Sequence, residues 1–396
     1  MKHPIRSSLA LLMILCMLVP LFALSVYAVD AYDDLLPIEE APISSRDARA
    51  LSSGLSDDPY SDRQWNLEMI GAAEAWRSGL TGKGVRVAVI DSGVSTQTND
   101  FDSGRLLPGR NTAAAGESTE DTGGHGTLVA GIIGATKDNG VGIAGVAPEV
   151  TIIPIKTFTE TTVHVGAVES AFYAAVDEFH CDIINYSYGI KTDSQAYHDM
   201  VKYAVSKGVI VICSAGNEGS STLHYPASYD EVIAVGSVNK DMECSSFSQH
   251  NSSVFVTAPG EKIVSLGTES GSMRTASGTS LSAPHVAGMA ALLKQAHPEM
   301  TSADFREILK MSCRDLGDEG YDEYYGWGLI QVPEAMQAAD EYFQSHEPDT
   351  PETPDPTPDP GTPGSGSSPF NISWLRTIIR NLISSIVKNL FHGIRP

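Results

Sequence analysis

Residues 85–91, VRVAVID, form a short valine-rich run that ends on an aspartate. Four later runs have the same character and are bounded by turn residues: TIIPIKT (151–157), DIINYSY (182–188), VIVICSA (209–215) and VIAVGSV (232–238). Near-continuous apolar strands that alternate with helical segments predict an α/β fold: a doubly wound, mostly parallel central sheet with helices on both faces. In such a sheet the functional residues gather at the carboxyl ends of the strands.

Four polar residues lie where these strands end or where helices begin. Asp91 closes the first run, and His125 stands between glycines in DTGGHGTLVAGIIGA. Asn217 closes VIVICSAGN, and Ser280 lies in SGTSLSAPHVAG. Each of them alone has an ordinary explanation as a turn former, a packing residue or a helix cap. Together, Asp, His and Ser supply an orienting carboxylate, a general base and a nucleophile, and the Asn amide is a donor suited to an oxyanion.

The motifs VAVIDSGV, GGHGTLVAGI, SAGNEG and SGTSLSAPHVAG together resemble those of the subtilisin-like serine peptidases, over about residues 58–340. The resemblance implies that Ser280 is the nucleophile, His125 the general base and Asp91 the carboxylate that holds the imidazole. It also implies that Asn217 binds the oxyanion with support from Thr279. The order Asp, His, Ser along the chain is that of subtilisin. The function implied is a serine endopeptidase that cleaves peptide bonds through an acyl-enzyme intermediate.

The same resemblance assigns a substrate groove for proteins or peptides. The S1 pocket, which receives the P1 side chain preceding the cleaved bond, is implied to have two walls. These are formed by Ser187, Tyr188 and Gly189 on one side and by Ser214, Ala215 and Gly216 on the other. His224 falls near the floor of the pocket, where a small residue is frequent in the family. We therefore expect a shallow or polar S1 pocket.

Calcium is the cofactor that the resemblance implies, in a structural role. The segment DDPYSDRQW (57–65) resembles the N-terminal calcium-binding arm of thermitase-like members. The implied ligands are the side chains of Asp58, Asp100 and Asn139 and the backbone carbonyls of Thr136, Val141 and Ile143. A cage of oxygen ligands suits Ca²⁺. An ordinary turn at Asn139–Gly140 explains part of the same sequence without a metal.

The beginning of the chain predicts export. Residues 1–28 have a basic head, an apolar run and the ending VYA, which is typical of a cleaved secretory signal peptide. An uncleaved membrane anchor is the alternative, because the apolar run is nearly long enough to span a bilayer. Residues 29–57 would then form a short pro-segment or N-terminal arm, and residues 58–342 the peptidase domain. We expect a secreted protein.

The end of the chain changes character sharply. Residues 343–369 are predicted to be a linker rich in Pro, Thr, Gly and Ser, and residues 370–396 a cationic amphipathic helical tail. The charged residues of the tail are all positive: Arg376, Arg380, Lys388 and Arg395. Such a helix suits contact with a membrane or the cell envelope, and it equally suits docking on a protein surface.

Composition narrows the function classes. The 396-residue chain carries 49 acidic against 26 basic side chains, a formal net charge of −23. This balance argues against nucleic-acid binding and favours a self-repelling, monomeric protein. Cys181 and Cys213 lie beside apolar runs and are expected to be buried free thiols. Two other functions stay open: a processing peptidase of narrow specificity, and an envelope-attached binding module whose peptidase site is idle.

Overall fold

The computed structural model describes residues 55–159, 162–163 and 165–346. The predicted signal peptide, the cationic tail and nearly all of the N-terminal arm and linker lie outside the described residues. The helices are α1 Trp65–Met69, α2 Ala72–Arg77, α3 His125–Gly134, α4 Val165–Tyr173, α5 Gln195–Ser206, α6 Thr279–Ala296, α7 Ser302–Ser312 and α8 Val332–Ser345. A 3₁₀ turn (Ser61–Arg63) precedes α1, and a π-helical turn (Ala174–Glu178) continues α4.

The strands include the five apolar runs of the sequence. They are β1 Arg86–Asp91, β2 Arg110–Asn111, β3 Thr151–Lys156, β4 Phe158–Thr159, β5 Thr162–Val163, β6 Ile183–Tyr186, β7 Ile210–Ser214, β8 Ile233–Val238, β9 Val254–Pro259, β10 Ile263–Leu266 and β11 Met273–Ala276. Seven of them form a parallel sheet in the order β2-β3-β1-β6-β7-β8-β9. The pairs β4–β5 and β10–β11 form antiparallel hairpins. The predicted parallel α/β sheet is therefore confirmed.

Strand β1 lies inside this sheet, between β3 and β6. Its Val89 lies opposite Pro154 of β3 on one side and Asn185 of β6 on the other. The strands that follow β1 in the chain, β2 and β3, lie on one side of it. The strands from β6 to β9 lie on its other side. Connections that leave in opposite directions open a crevice at the carboxyl ends of the two strands. The last residue of β1, Asp91, lies at that crevice.

Two apolar layers cover the sheet, as alternation along β1 shows. Val87 and Val89 pack into the layer formed with α3, α6, α7 and α8. Ala88 and Ile90 point to the opposite layer, formed with α4 and α5. Because successive side chains of a strand alternate between faces, helices on both sides are required to bury this strand.

Helix α6 is buried over most of its length, with every residue from Thr279 to Lys294 buried. It carries His285, which accepts a hydrogen bond at Nε2 from Asn66 Nδ2 (2.7 Å) and donates from Nδ1 to the carbonyl of Leu281 (2.8 Å). Burial lowers the pKa of His285 to about 4, so the ring stays neutral near neutral pH. The histidine of the SGTSLSAPHVAG motif is therefore a packing residue.

The structure adds details that the apolar runs did not predict. Strand β9 extends the sheet at one edge and ends on Pro259, which an edge position tolerates. Helix α8 continues to Ser345 and crosses the predicted start of the linker at residue 343. Cys181 and Cys213 are buried free thiols, as expected. Within the described part of the chain, no helix combines the length and the apolar character that crossing a bilayer requires.

Candidate active site

The carboxyl edge of the sheet collects three of the residues singled out in the sequence. Asp91 ends β1, Ser187 directly follows β6, and Asn217 lies three residues beyond β7. Because β1, β6 and β7 are parallel and adjacent, these positions share one edge. The carbonyl of Ser280, in the first turn of α6, accepts a hydrogen bond from Ser187 Oγ (3.0 Å), which places the start of α6 at the same edge.

Asp91 and His125 form a buried pair. Nδ1 of His125 lies 2.8 Å from Oδ1 and 3.0 Å from Oδ2 of Asp91. A carboxylate can only accept, so Nδ1 carries the proton and Nε2 of the neutral ring is an acceptor. Within the described residues, Nε2 is buried and has no hydrogen-bond partner. Nε2 of His125 is therefore a basic nitrogen at the carboxyl edge of the sheet, and no described residue donates a hydrogen bond to it.

Several opposing effects act on the pKa of His125. Burial alone lowers the pKa, because it disfavours the imidazolium. The charge of Asp91, the hydrogen bond to Asp91 and the charge of Asp121 raise it, and the net direction is upward. The surroundings of His125 therefore favour its protonated form.

The start of α3 fits tightly against the turn after β1. A Cβ on Gly126 would lie 2.0 Å from the carbonyl oxygen of Gly93 and 3.1 Å from Oδ1 of Asp91. Any larger residue at position 126 would push His125 away from Asp91. The glycine next to the histidine is thus required by close backbone approach.

Ser280 and the amide of Asn217 flank one backbone position. A Cβ placed on Gly278 would lie 2.9 Å from Ser280 Oγ and 3.5 Å from Asn217 Nδ2. Ser280 is the second residue of α6, so its backbone N–H belongs to the first turn, where N–H groups have no intrahelical acceptor. A hydroxyl and two kinds of N–H donor therefore lie close together. The structure shows no hydrogen bond between Ser280 and His125; such bonds often tighten only when substrate binds.

Thr279 orients the amide of Asn217. Both the backbone N–H (2.8 Å) and the hydroxyl (2.9 Å) of Thr279 donate to Oδ1 of Asn217. The Thr279 hydroxyl in turn accepts from the N–H of Gly216 (3.1 Å). With its oxygen fixed on Thr279, the Asn217 amide turns its nitrogen the other way. Thr279 therefore orients the Asn217 amide, and its support of an oxyanion stays a prediction.

Ser187 replaces a helix hydrogen bond that Pro284 cannot form. In an α-helix the carbonyl of residue 280 accepts from the N–H of residue 284, but proline has no N–H. The Ser187 hydroxyl donates to this carbonyl instead, and Asn185 Nδ2 donates to the same hydroxyl (2.9 Å). Asn185, Ser187 and Ser280 are all buried. A polar chain thus joins β6 to the first turn of α6.

The predicted walls of the S1 pocket approach each other around His224. A Cβ on Gly216 would lie 2.9 Å from Nδ1 of His224, and a Cβ on Gly189 would lie 3.4 Å from its Cβ. The imidazole is 3% exposed and lies 3.8 Å from a carboxylate oxygen of Glu218. Glu218 also pairs with Lys191. His224 therefore lies between the backbones of the two segments.

The other residues of these segments have structural contacts. The ring of Tyr188 packs against Phe158 and Tyr186, with centroids 5.7 and 6.2 Å apart. Ser214 ends β7 and is buried, and the N–H of Ala215 donates to the carbonyl of Val235 (3.0 Å). Residues 187–189 are thus held by aromatic packing, and residues 214–216 by the sheet itself.

Comparison with known proteins agrees with this geometry. Residues 82–328 match the model of the subtilase family. Subtilisin BL of Lederbergia lenta is 36% identical over 280 residues, which cover 69% of this chain and 98% of that protein. The chain belongs to the subtilase family. This subtilase is therefore a serine endopeptidase, a hydrolase of peptide bonds.

Two further relatives differ in how far they align with this subtilase. The minor extracellular protease Epr of Bacillus subtilis (strain 168) is 39% identical over 306 residues, which are 76% of this chain and 46% of Epr. The chain thus spans less than half of Epr. A solved protease structure from Pseudoalteromonas arctica PAMC 21717 has a TM-score of 0.67 at 27% identity and covers 72% of this chain and 99% of its own.

The carboxylates of the predicted calcium cage lie side by side in this subtilase. Asp58 accepts from the N–H groups of Asp138 (2.9 Å), Asn139 (3.0 Å) and Gly140 (3.1 Å). Asp100 accepts from Asn139 Nδ2 (2.9 Å) and from the N–H of Ile143 (2.9 Å). Burial, with a smaller contribution from the charge of Asp58, raises the pKa of Asp100 to about 7. Two buried carboxylates that repel each other are the kind of donor set that a cation stabilises.

The uncharged ligands predicted for the calcium cage are three backbone carbonyls and the amide oxygen of Asn139. Among the described residues, the carbonyls of Thr136, Val141 and Ile143 accept no protein hydrogen bond. Oδ1 of Asn139 instead accepts from the N–H of Val141 (2.7 Å), so the amide turns its nitrogen toward Asp100. The described residues hold no cluster of three or more His, Cys, Asp or Glu side chains suited to a metal, and the predicted cage has only two carboxylates.

Sequence reasoning missed two buried polar residues of the site. Asp121 stands four residues before His125, and a carboxylate just ahead of a helix start is a signal of capping. Asn185 is a polar residue inside a buried strand, which signals a hydrogen-bonding role. Both lie in quoted motifs, but only the tertiary structure shows their partners.

Replacement of Ser187 tests the link to the first turn of α6. Ser187→Ala leaves the carbonyl of Ser280 buried without a donor, which costs about 1–3 kcal/mol. We expect a melting temperature lower by about 3–10 °C and a kcat lower by about tenfold, because the turn that carries Ser280 relaxes. Calorimetry and peptide hydrolysis measure the two effects. Ser187→Thr retains the hydroxyl and is the matched control; an alanine variant indistinguishable from wild type contradicts the link.

Proposed function

We propose that this subtilase cleaves peptide bonds with Ser280 as nucleophile, His125 as general base and Asp91 as the group that orients the imidazole. The observation that carries the assignment is the buried His125 ring. Its Nδ1 is held by Asp91 at 2.8 Å, and its Nε2 has no partner among the described residues. This arrangement supplies a base in the correct tautomer at the edge where Ser280 lies.

In the proposed reaction, Oγ of Ser280 attacks the carbonyl carbon while Nε2 of His125 takes the hydroxyl proton. Asp91 stabilises the imidazolium that forms. The oxyanion accepts hydrogen bonds from Asn217 Nδ2 and from the backbone N–H of Ser280. His125 then gives its proton to the leaving amine, which departs and leaves an acyl-enzyme. Water, deprotonated by the same nitrogen, releases the acid product and restores Ser280.

The S1 pocket proposed for this enzyme is small because His224 occupies the space between its walls. A Cβ added to Gly216 would lie 2.9 Å from Nδ1 of the ring, and one added to Gly189 would lie 3.7 Å from the same atom. A bulky P1 side chain would have to enter the same space. We infer a preference for small P1 residues such as alanine or glycine. This restriction supports the narrower of the two peptidase functions, a processing enzyme of limited specificity.

Export and calcium complete the proposal. The signal-like residues 1–28 and the extracellular location named for Epr support secretion of a monomeric enzyme. Attachment to the cell envelope through the cationic residues 370–396 is proposed from the sequence. Ca²⁺ would be held by Asp58, Asp100, Asn139 and the carbonyls of Thr136, Val141 and Ile143, and it would supply structural stability. The repulsion between the two buried carboxylates supports a cation here.

Cleavage of a complex peptide library tests the function directly. Wild type, Ser280→Ala and Asn217→Ala are compared by mass spectrometry of the products. We expect no cuts from the serine variant. For the asparagine variant we expect kcat lower by roughly 10²–10³-fold, the loss found on removing this donor in subtilisin itself. Cuts that persist in Ser280→Ala would refute the nucleophile, and a folded wild type without cuts would favour the idle binding module.

The P1 preference tests the role of His224. His224→Gly opens the floor of the proposed pocket, so kcat/KM for phenylalanine or leucine at P1 should rise about tenfold relative to alanine. Peptides that differ only at P1 measure the ratio. Leu223→Gly truncates the exposed neighbouring side chain and should leave the ratio unchanged. The same P1 profile in wild type and His224→Gly rules out this pocket floor.

Chelation tests the calcium site. Calorimetry on the Ser280→Ala protein avoids self-digestion and compares millimolar Ca²⁺ with excess chelator. Binding that saturates the folded state stabilises it by about 3–4 kcal/mol, so chelator should lower the melting temperature by about 5–15 °C. Asp58→Asn should abolish most of this difference, whereas Asp57→Asn, an exposed neighbour, should retain it. An unchanged melting temperature with chelator argues that no calcium is bound.

A further inference from the structure

Asp121 is a buried carboxylate, 3% exposed, that accepts five hydrogen bonds. Oδ1 accepts from Ser92 Oγ (3.0 Å) and from the N–H groups of Gly123 (3.0 Å) and Gly124 (2.8 Å). Oδ2 accepts from the N–H (2.9 Å) and the hydroxyl (2.6 Å) of Thr127. So many donors on one buried carboxylate indicate that its charge is part of the fold.

These donors come from both sides of His125. Gly123 and Gly124 lie just before the histidine, and Thr127 lies in the first turn of α3 just after it. Gly124, at the N-cap position, has no side chain to cap the helix, and Asp121 satisfies first-turn N–H groups instead. A negative charge at a helix N-terminus is also electrostatically favourable.

The remaining donor ties this loop to the strand that carries Asp91. Ser92 directly follows Asp91, and its hydroxyl donates to Asp121 while accepting from the N–H of Gly126 (2.9 Å). One carboxylate and one hydroxyl therefore connect the end of β1 with the residues on both sides of His125. The close approach of Gly126 to Gly93 leaves little room for the two segments to shift.

We propose that Asp121 is a positioning residue that clamps the His125 loop against the end of β1 and whose charge stabilises the imidazolium formed during catalysis. Asp121 hydrogen-bonds to neither His125 nor Ser280 and so acts through the loop and through space. The proposal rests on the proposed function, because it presumes that His125 is the general base. Asp91 fixes the ring, and Asp121 fixes the backbone that bears the ring.

Three other charged side chains lie near the loop that carries His125. Asp91 approaches from β1, and Arg274 of β11 donates to the carbonyl of Gly123 (3.3 Å). Lys156 of β3 donates to the carbonyl of Glu120 (2.7 Å). These groups stay in place when Asp121 alone is changed. Loss of one nearby negative charge disfavours the imidazolium, so the pKa of His125 should fall.

The experiment compares wild type with Asp121→Asn, which keeps the size of the side chain and removes its charge. The readout is the rate of inactivation by phenylmethylsulfonyl fluoride as a function of pH, which follows deprotonation of the base and needs no known substrate. We expect the acid limb to move down by about half to one pH unit. The inactivation rate at the optimum should fall about tenfold or more, because the new amide NH₂ faces the N–H donors.

Asp304→Asn is the matched control. Asp304 caps α7 by accepting from the N–H (2.8 Å) and the hydroxyl (2.7 Å) of Thr301. This variant loses a helix cap outside the site, so it should lower the melting temperature and leave the pH profile unchanged. If Asp121→Asn behaves in the same way, with an unmoved acid limb, Asp121 only stabilises the helix and the proposal is overturned.

Two further measurements keep the outcome clear. If Asp121→Asn does not fold, Ser92→Ala tests the clamp with the charge retained: we expect inactivation about tenfold slower with an unchanged acid limb. An unchanged rate in Ser92→Ala overturns the proposal. Failure of the proposed function looks different: wild type would then resist phenylmethylsulfonyl fluoride, and either Ser280→Ala would still cleave peptides or the folded wild type would cleave none.

Discussion

The parallel pairing of β1 with both β3 and β6 is the constraint on which the site depends. It brings the ends of β1 and β6 to one edge and opens a crevice between connections that leave in opposite directions. Asp91 and Ser187 lie at that edge because their strands end there. The two apolar layers that bury β1 hold the strand in place. The positions of Asp91 and Ser187 are therefore set by the packing of the core.

Hydrogen bonds between distant segments then set the finer geometry. Thr279 turns the amide of Asn217, and Ser187 holds the carbonyl of Ser280. The first bond is partly buried and the second is buried, and each joins residues far apart in the chain. A buried donor or acceptor that loses its partner costs more than the bond contributes on average. These links therefore define one arrangement of the site and penalise its alternatives.

Local sequence patterns and motifs predicted the central strands and the residues at their ends. Five strands follow from short apolar runs, and Asp91 follows from its place at the end of one of them. The position of His224 near the floor of the S1 pocket was implied by a family resemblance and stays a prediction. The roles of Asn185 and Asp121 were missed because a sequence pattern does not show which donors and acceptors face each other in the folded chain. Asp58 and Asp100 of the predicted calcium cage both accept hydrogen bonds from Asn139, yet Asn139 turns its oxygen to Val141, which no spacing rule reveals.

The bond between Asn66 and His285 has a consequence for how the enzyme assembles. The two residues are 219 positions apart, and their bond satisfies a buried ring inside the helix that carries Ser280. Contacts of such long sequence separation form late and slow the folding of a chain. The helix that carries Ser280 is thus completed only after the first and last thirds of the domain meet. A chain that is still being synthesised therefore lacks the finished arrangement around Ser280, because the helix that carries it has not yet met Asn66.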